Sequence, residues 1–318
     1  MRNARRDLAA QQAAIESQLA EIDEQLDVET DASQRQRLSE RREQIASQQL
    51  TISNVRFGWL AWAGLVYIAA LAPAWLYWHR ILQRLEQRPR MFESARAYYI
   101  GHLGKYIPGK ALVVVLRASL VRSPRTAMPP AALAVFVETL TTMAVGACVA
   151  AVCLIVTQQS TWLIGLSVGL MAAAGLPTYP PLFRRIIRVL RVKKVQSELE
   201  PLVPHIDGRL LGLGWLLGIV SWCGMGVCLY LVLLALPTEP PTLQQLPLLI
   251  GAVSLAAVAG FLSLLPGGIG VRELVVTELL TPTYGAVLGV SSAIVLRLLW
   301  LVCELLVSAI LYGLHHRE

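Results

Sequence analysis

Charge is scarce in this chain. Asp, Glu, Lys and Arg make up 15% of its 318 residues, while 55% are apolar; a soluble domain carries about a quarter charged residues. That balance excludes an ordinary soluble protein and reads as an all-α polytopic membrane protein. Cysteine is sparse as well. Cys148, Cys153, Cys223, Cys228 and Cys303 fall in apolar stretches without CxxC or Cys/His spacing, so neither a disulfide frame nor a zinc site is expected. The sequence also lacks an Asp-rich metal motif, a nucleophile paired with a base, and a P-loop. No cofactor is expected, and no basic run interleaved with aromatics points to a nucleic-acid partner. The front lacks the apolar h-region of a cleavable leader, so the first span is expected to target the chain.

What charge there is divides unevenly. Residues 1–56 hold 8 Arg against 10 acids, whereas residues 57–318 hold 20 basic against 11 acidic groups. Cations beside apolar spans suggest anionic lipid or membrane orientation. In the front segment Leu8, Ile15, Leu19, Ile22 and Leu26 follow heptad spacing with Gln12 as the polar member. After the polar run 27–33, Leu38, Ile45 and Ile52 recur at sevens. The spacing predicts two helices, as a hairpin or as a coiled coil that pairs with a second copy or a partner; a solvated spacer is the alternative.

About 20 apolar residues cross a bilayer core, and six stretches qualify: Phe57–Trp78, Ala127–Val156, Trp162–Leu176, Leu210–Leu236, Leu246–Leu265 and Tyr284–Leu314. Two more, Ala97–Leu120 and Val271–Leu280, are interrupted by Gly, Pro or charge and read as broken or re-entrant helices. Arg80, Arg84, Arg88, Arg90 and Arg96 follow the first span, and Arg184, Arg185, Arg188, Arg191, Lys193 and Lys194 follow the third, which places both groups on the cytoplasmic side. The connections 157–161 and 237–245 contain no basic residue. Trp59, Trp62, Trp75, Tyr77 and Trp78 suit interfacial anchoring, and Gly212, Gly214, Gly218, Gly224 and Gly226 suit close helix packing.

The sharpest local signal is Leu103-Gly104-Lys105-Tyr106-Ile107-Pro108-Gly109-Lys110. Pro108 removes a backbone donor and Gly109 permits a reversed turn, so the helix must open inside an apolar stretch. Freed amides can meet an anion there, with Lys105, Lys110 and Arg117 as cations. A second break, Leu265-Pro266-Gly267-Gly268-Ile269-Gly270-Val271-Arg272-Glu273, again sets a cation just past Pro-Gly, and the next helix would turn its positive end back toward Gly270. Two discontinuous helices at corresponding places point to an inverted-repeat transporter with its site at the repeat interface; two structural kinks are the plainer alternative.

These two stretches, in this order, resemble the signature segments of the lysylphosphatidylglycerol synthase transmembrane region, a flippase-like family, over about residues 57–314. The resemblance implies a polytopic helical domain over 57–318 with re-entrant segments, behind a separate segment 1–56. In the multiple peptide resistance factor this region moves an aminoacylated phospholipid between leaflets. No counterpart of that factor's soluble aminoacyl-transferase domain is expected here, nor is enzymatic activity. A further span usually stands where residues 1–56 lie.

The remaining charges inside apolar stretches are Glu138, Glu278, Arg297 and Glu304. Intramembrane charge is costly and marks function by default. Glu138 is expected to pair with Arg272 or Arg297, and Glu273 and Glu304 join the same set of charge partners; that such pairs only lock helices is the competing reading. His102 is a candidate proton or headgroup contact, with hydrogen-bonded packing as the plainer role. The expectation is therefore a multi-pass protein of the plasma or inner membrane that moves an anionic or aminoacylated phospholipid, or a lipid-linked precursor. Lys105, Lys110, Arg117 and Arg272 would hold its phosphate. A membrane-embedded transferase and a non-transporting scaffold are the alternatives.

Overall fold

In a bilayer the backbone must satisfy its own hydrogen bonds, and helix is the form a continuous apolar run takes. The computed structural model describes residues 14, 17–26, 32–47, 55–107, 111–176, 201–237, 240–263 and 265–315. Among these residues the regular structure is helical, with one isolated bridge between Ser123 and Thr126. The helices are α1 (Ala32–Ser47), α2 (Phe57–Arg84), α3 (Met91–His102), α4 (Ala111–Leu120), α5 (Met128–Val156), α6 (Thr161–Gly175), α7 (Gly208–Ala235), α8 (Leu246–Leu262) and α9 (Val271–His315). Short 3-10 turns cover Leu103–Tyr106 and Pro266–Gly268. Phe57–Arg84, Met128–Val156, Gly208–Ala235, Leu243–Leu262 and Pro266–Leu314 are long and apolar enough to cross a membrane, and Thr161–Gly175 is a shorter apolar helix. The six expected spans are all present as apolar helix.

The chain ends of these helices sort into two levels. At one, the amide of Arg56 donates to the carbonyl of Ala235 at 2.9 Å, which joins the start of α2 to the end of α7. At the other, Arg84 lies 3.6 Å from Asp207, which joins the end of α2 to the start of α7, where Asp207 caps the helix through the Leu210 amide at 2.8 Å. The two helices are antiparallel and pack along their length, and α5 and α8 close the bundle against them.

The two interrupted segments become hairpins that enter from opposite levels. At the base of the first, the Arg88 amide donates to the Arg125 carbonyl at 3.1 Å, so α3 rises and α4 returns to the same level. Ala97–Leu120 is thus re-entrant, as expected. The second is made by α8 and the first limb of α9. Tyr284 donates its hydroxyl to Gln245 at 2.7 Å, so both ends of this hairpin also share one level, opposite to the first. Gly285, with φ 80° and ψ 161°, then breaks α9 three residues after Pro282, and the second limb runs back through the bundle. Residues expected as a plain span, Leu246–Leu265, are therefore the entering limb of a larger re-entrant unit.

Helix rise places the tips. α2 is about 42 Å long, while residues 91–106 and 246–262 reach inward by about 24 and 25 Å from the two levels. The tips meet near the middle, where a Cβ on Gly267 would lie 3.4 Å from Tyr106 and 3.7 Å from the Lys105 carbonyl.

Residues 17–26 form a helical stretch whose Ile22 is buried, and the exposed pair Asp23–Arg42 ties it to α1. The Arg42 hydrogen bond holds the Asp23 carboxyl below its usual range. This is the expected hairpin; a coiled coil with another chain is not shown. Leu8, Gln12, Ile15 and Ile52, the basic run 184–194, and Pro108, Gly109 and Lys110 lie outside the described residues.

Aromatics at the far end of the first span depart from expectation. Trp59 and Trp62 are exposed, as anchors should be, but Tyr77 and Trp78 are buried in the core. Tyr77 packs its ring where Gly214 leaves room, and the α3–α4 hairpin covers Trp78 through Tyr98.

Candidate functional site: a charged junction between two hairpin tips

Each hairpin carries an arginine on its return limb that lies across a glycine of its entering limb. A Cβ on Gly101 would meet Cγ of Arg117 at 2.4 Å, and one on Gly260 would meet Cγ of Arg272 at 2.6 Å. No side chain fits at either glycine unless the arginine moves, so the small residue makes the space that buries the cation's stem. The two arginines then meet different fates.

Arg117 is neutralised. It is 3% exposed, donates to Glu138 of α5 at 2.9 Å, and lies over the Tyr98 ring at 3.9 Å. Glu138 also accepts from Thr139 at 3.2 Å and from Tyr98 at 3.4 Å. The expected partners of Glu138 were Arg272 and Arg297. The structure gives Arg117 instead, because α5 packs on α4, which carries Arg117, whereas Arg272 and Arg297 both sit on α9, with which α5 makes little contact. Arg117 is thereby placed to fix the hairpin to the bundle.

Arg272 has no carboxylate within ion-pairing distance among the described residues, and its buried Nε, like that of Arg117, has no hydrogen-bond partner. Close by, Glu273 does two things. It accepts the Gly270 amide at 2.7 Å, the reach-back bond of a helix start, and it pairs with Arg297 of the second limb of α9. Arg297 also donates to the Gly267 carbonyl at 3.3 Å, so it straps the tip to the long helix. Gly267, Gly268 and Gly270 have φ of 58°, 67° and 85°, a region that side chains disfavour. At Gly268 an added Cβ would also lie 2.8 Å from Cα of Gly260. Pro266 opens this turn.

From the other side, Lys105 reaches Glu304 at 2.5 Å. Tyr67 donates its hydroxyl to the same carboxylate oxygen and stacks on Trp300 with ring centroids 4.9 Å apart. His102 connects the two groups of charges: Arg117 donates to its Nδ1 at 3.0 Å, and its Nε2 lies 3.8 Å from Glu304. Glu304 Oε2 is buried without a partner. Glu278, in contrast, is exposed on the first limb of α9 and stands apart.

The junction thus gathers Lys105, Arg272 and Arg297 against Glu273 and Glu304, an excess of one positive charge in a place where bare charge is expensive. A cavity of about 30 Å³ lies there, lined by Tyr106, Gly267, Arg272, Glu273, Arg297 and Trp300 among others. It has room for one or two water molecules. Tyr67, Tyr98 and Tyr106 were not anticipated as site residues; a lone hydroxyl midway along an apolar run was the available signal.

Two re-entrant hairpins that meet head to head at a buried charged centre define a multi-pass membrane protein of the flippase-like type. The chain belongs to the family described as the lysylphosphatidylglycerol synthase TM region, which matches it over residues 38–308. The match takes in the end of the front segment as well as the span bundle. Comparison with curated proteins gave no match.

Proposed function

We propose that this protein is a lipid flippase of the cell membrane, without synthase chemistry of its own. It takes the headgroup of an anionic or aminoacylated phospholipid, or of a lipid-linked precursor, into the tip junction while the acyl chains stay in the bilayer. The observation that carries this reading is Arg272, a cation with no carboxylate within ion-pairing distance among the described residues, at a site of net positive charge. Lys105 supports it from the facing tip, and Lys110 follows five positions later in the sequence. Arg117 serves by holding the first hairpin, since Glu138 already occupies it.

Rocking of one hairpin against the other, each rooted at an opposite level, changes access from one leaflet to the other. The front helices then act as an assembly contact for a second copy or a partner.

Reconstitution into liposomes with fluorescent phosphatidylglycerol and its lysyl derivative tests the reading. Movement between leaflets above that of empty vesicles is expected, with a loss of about tenfold or more in Arg272→Ala, as for one charged contact. Folded wild-type protein that moves neither lipid rejects it.

A further inference from the structure

The strongest unspent feature of the junction is the carboxylate of Glu304. Its side chain is 2% exposed, and the one permanent cation within ion-pairing distance of it among the described residues is the Lys105 ammonium. Tyr67 and Lys105 both bond Oε1, and Oε2 is buried with no partner among the described residues. Yet Lys105 is a tip residue and faces the place where an anionic headgroup is read to bind.

We infer that Glu304 takes up one proton whenever Lys105 engages an anionic headgroup, so that lipid and proton occupy this site together. The inference rests on the transport reading above. A phosphate beside Lys105 either draws the ammonium off Glu304 or shares it. In the first case a buried carboxylate loses its counter-ion; in the second, two anions crowd one cation. Both favour the neutral acid, and a buried group neutralises rather than remain charged and unpaired.

The other groups that face Glu304 do not relieve it. From α2, Tyr67 is a neutral donor already in place. From α3, His102 accepts the Arg117 donor on Nδ1, which leaves its ring proton on Nε2, 3.8 Å from Glu304 and beyond a hydrogen bond. From the 3-10 turn come Lys105 itself and the Tyr106 hydroxyl, a neutral donor within hydrogen-bonding reach of the carboxylate that brings no positive charge. On its own helix Arg297 is held by Glu273 and the Gly267 carbonyl, and Cys303 is a neutral neighbour. Arg272, from the first limb of α9, acts on Glu304 only from beyond ion-pairing distance and is the second cation offered to the phosphate.

The balance is simple. A proton from water converts the Glu304 carboxylate to the acid, with Oε2 the oxygen free to carry it, and Lys105 stays an ammonium that now bonds phosphate. Release of the headgroup returns Lys105 to Glu304 and the proton to water. Each anionic headgroup that crosses therefore brings one proton with it, and a proton gradient drives lipid movement.

Calorimetric titration of purified protein with dioctanoyl phosphatidylglycerol, repeated in buffers of different ionisation enthalpy, counts the protons bound per lipid. The expected result is uptake that approaches one proton over part of the range from about pH 5 to about pH 9, with affinity falling about tenfold per pH unit there as pH rises. Glu304→Gln, which mimics the neutral acid, is expected to take up none and to bind at high pH at least as tightly as wild type does at low pH. Wild-type binding with no proton uptake anywhere in the range overturns the coupling and leaves the transport reading standing. So does uptake that persists in Glu304→Gln, since the proton then goes elsewhere. If wild-type protein binds no lipid at any pH, the transport reading itself fails and the coupling with it.

Discussion

Arg117 and Arg272 each lie over a glycine of the opposite limb of their hairpin, and they differ in the partners around their charge. Arg117 has a carboxylate, an aromatic face and His102 around it, so little of its charge is open to a ligand. Removal of one member of such a buried pair strands the other. Glu138→Ala is expected to cost about 3–5 kcal/mol, read as a lowered unfolding midpoint in detergent, while Arg117→Met with Glu138→Leu restores most of it because no bare charge remains. Should the single substitution leave stability unchanged, the pair would not be what fixes the first hairpin. Arg272 has no carboxylate within ion-pairing distance among the described residues, and an unpaired cation inside a membrane protein marks a functional candidate by default.

Helix contacts are set by small residues where backbones come close. On α7, a Cβ on Gly226 would meet Cα of Ile250 at 2.7 Å, whereas one on Gly212 would meet nothing within 4 Å. Gly212, Gly214, Gly218, Gly224 and Gly226 of α7 look alike in sequence as packing residues. Gly214, Gly218, Gly224 and Gly226 do face Tyr77, Val145, Ala70 and Ile250; Gly212 faces open space. Gly226→Ala is expected to destabilise by about 1–3 kcal/mol, and Gly212→Ala to be neutral or slightly stabilising through better helix propensity. Denaturation of both variants in the same detergent checks the contrast, and equal effects would contradict the α7–α8 approach. The breaks obey the same logic. Pro-Gly opens the helix, but the depth of the opening depends on how long the limbs are.

With both hairpins rooted, the molecule has two distinct levels. Arg84, Arg88, Arg122, Arg125 and Asp207 belong to one, and the connections after α5 and α7, which carry no basic residue, belong to the other. The positive-inside tendency assigns the first level to the cytoplasm. Because α9 ends beside α3, where Ser308 reaches the Tyr99 carbonyl at 3.5 Å, the C-terminal turn of α9 shares that level. Single cysteines introduced at Gln158 and Thr242 are expected to react with an impermeant maleimide from outside intact cells, and those at Ser123 and Arg209 only after permeabilisation. Labelling of Thr242→Cys and Ser123→Cys from the same side would refute the opposed hairpins.

Apolar run length, Pro-Gly breaks and the spacing of cations were legible residue by residue, because lipid imposes them locally: a span needs its twenty apolar residues wherever it packs, and proline cannot donate in any fold. Those constraints yielded the helices, both interruptions, and Lys105, Arg272, Glu273, Arg297 and Glu304 as residues of interest. Partnership was not legible. Whether Glu138 meets Arg117 or Arg272 depends on whether its face of α5 packs on α4 or on α9, and Tyr67 reaches Glu304 across 237 positions of chain. Coulomb attraction and hydrogen bonding act over a few ångströms of space and are blind to sequence distance, so only the folded arrangement could decide which cation was left open.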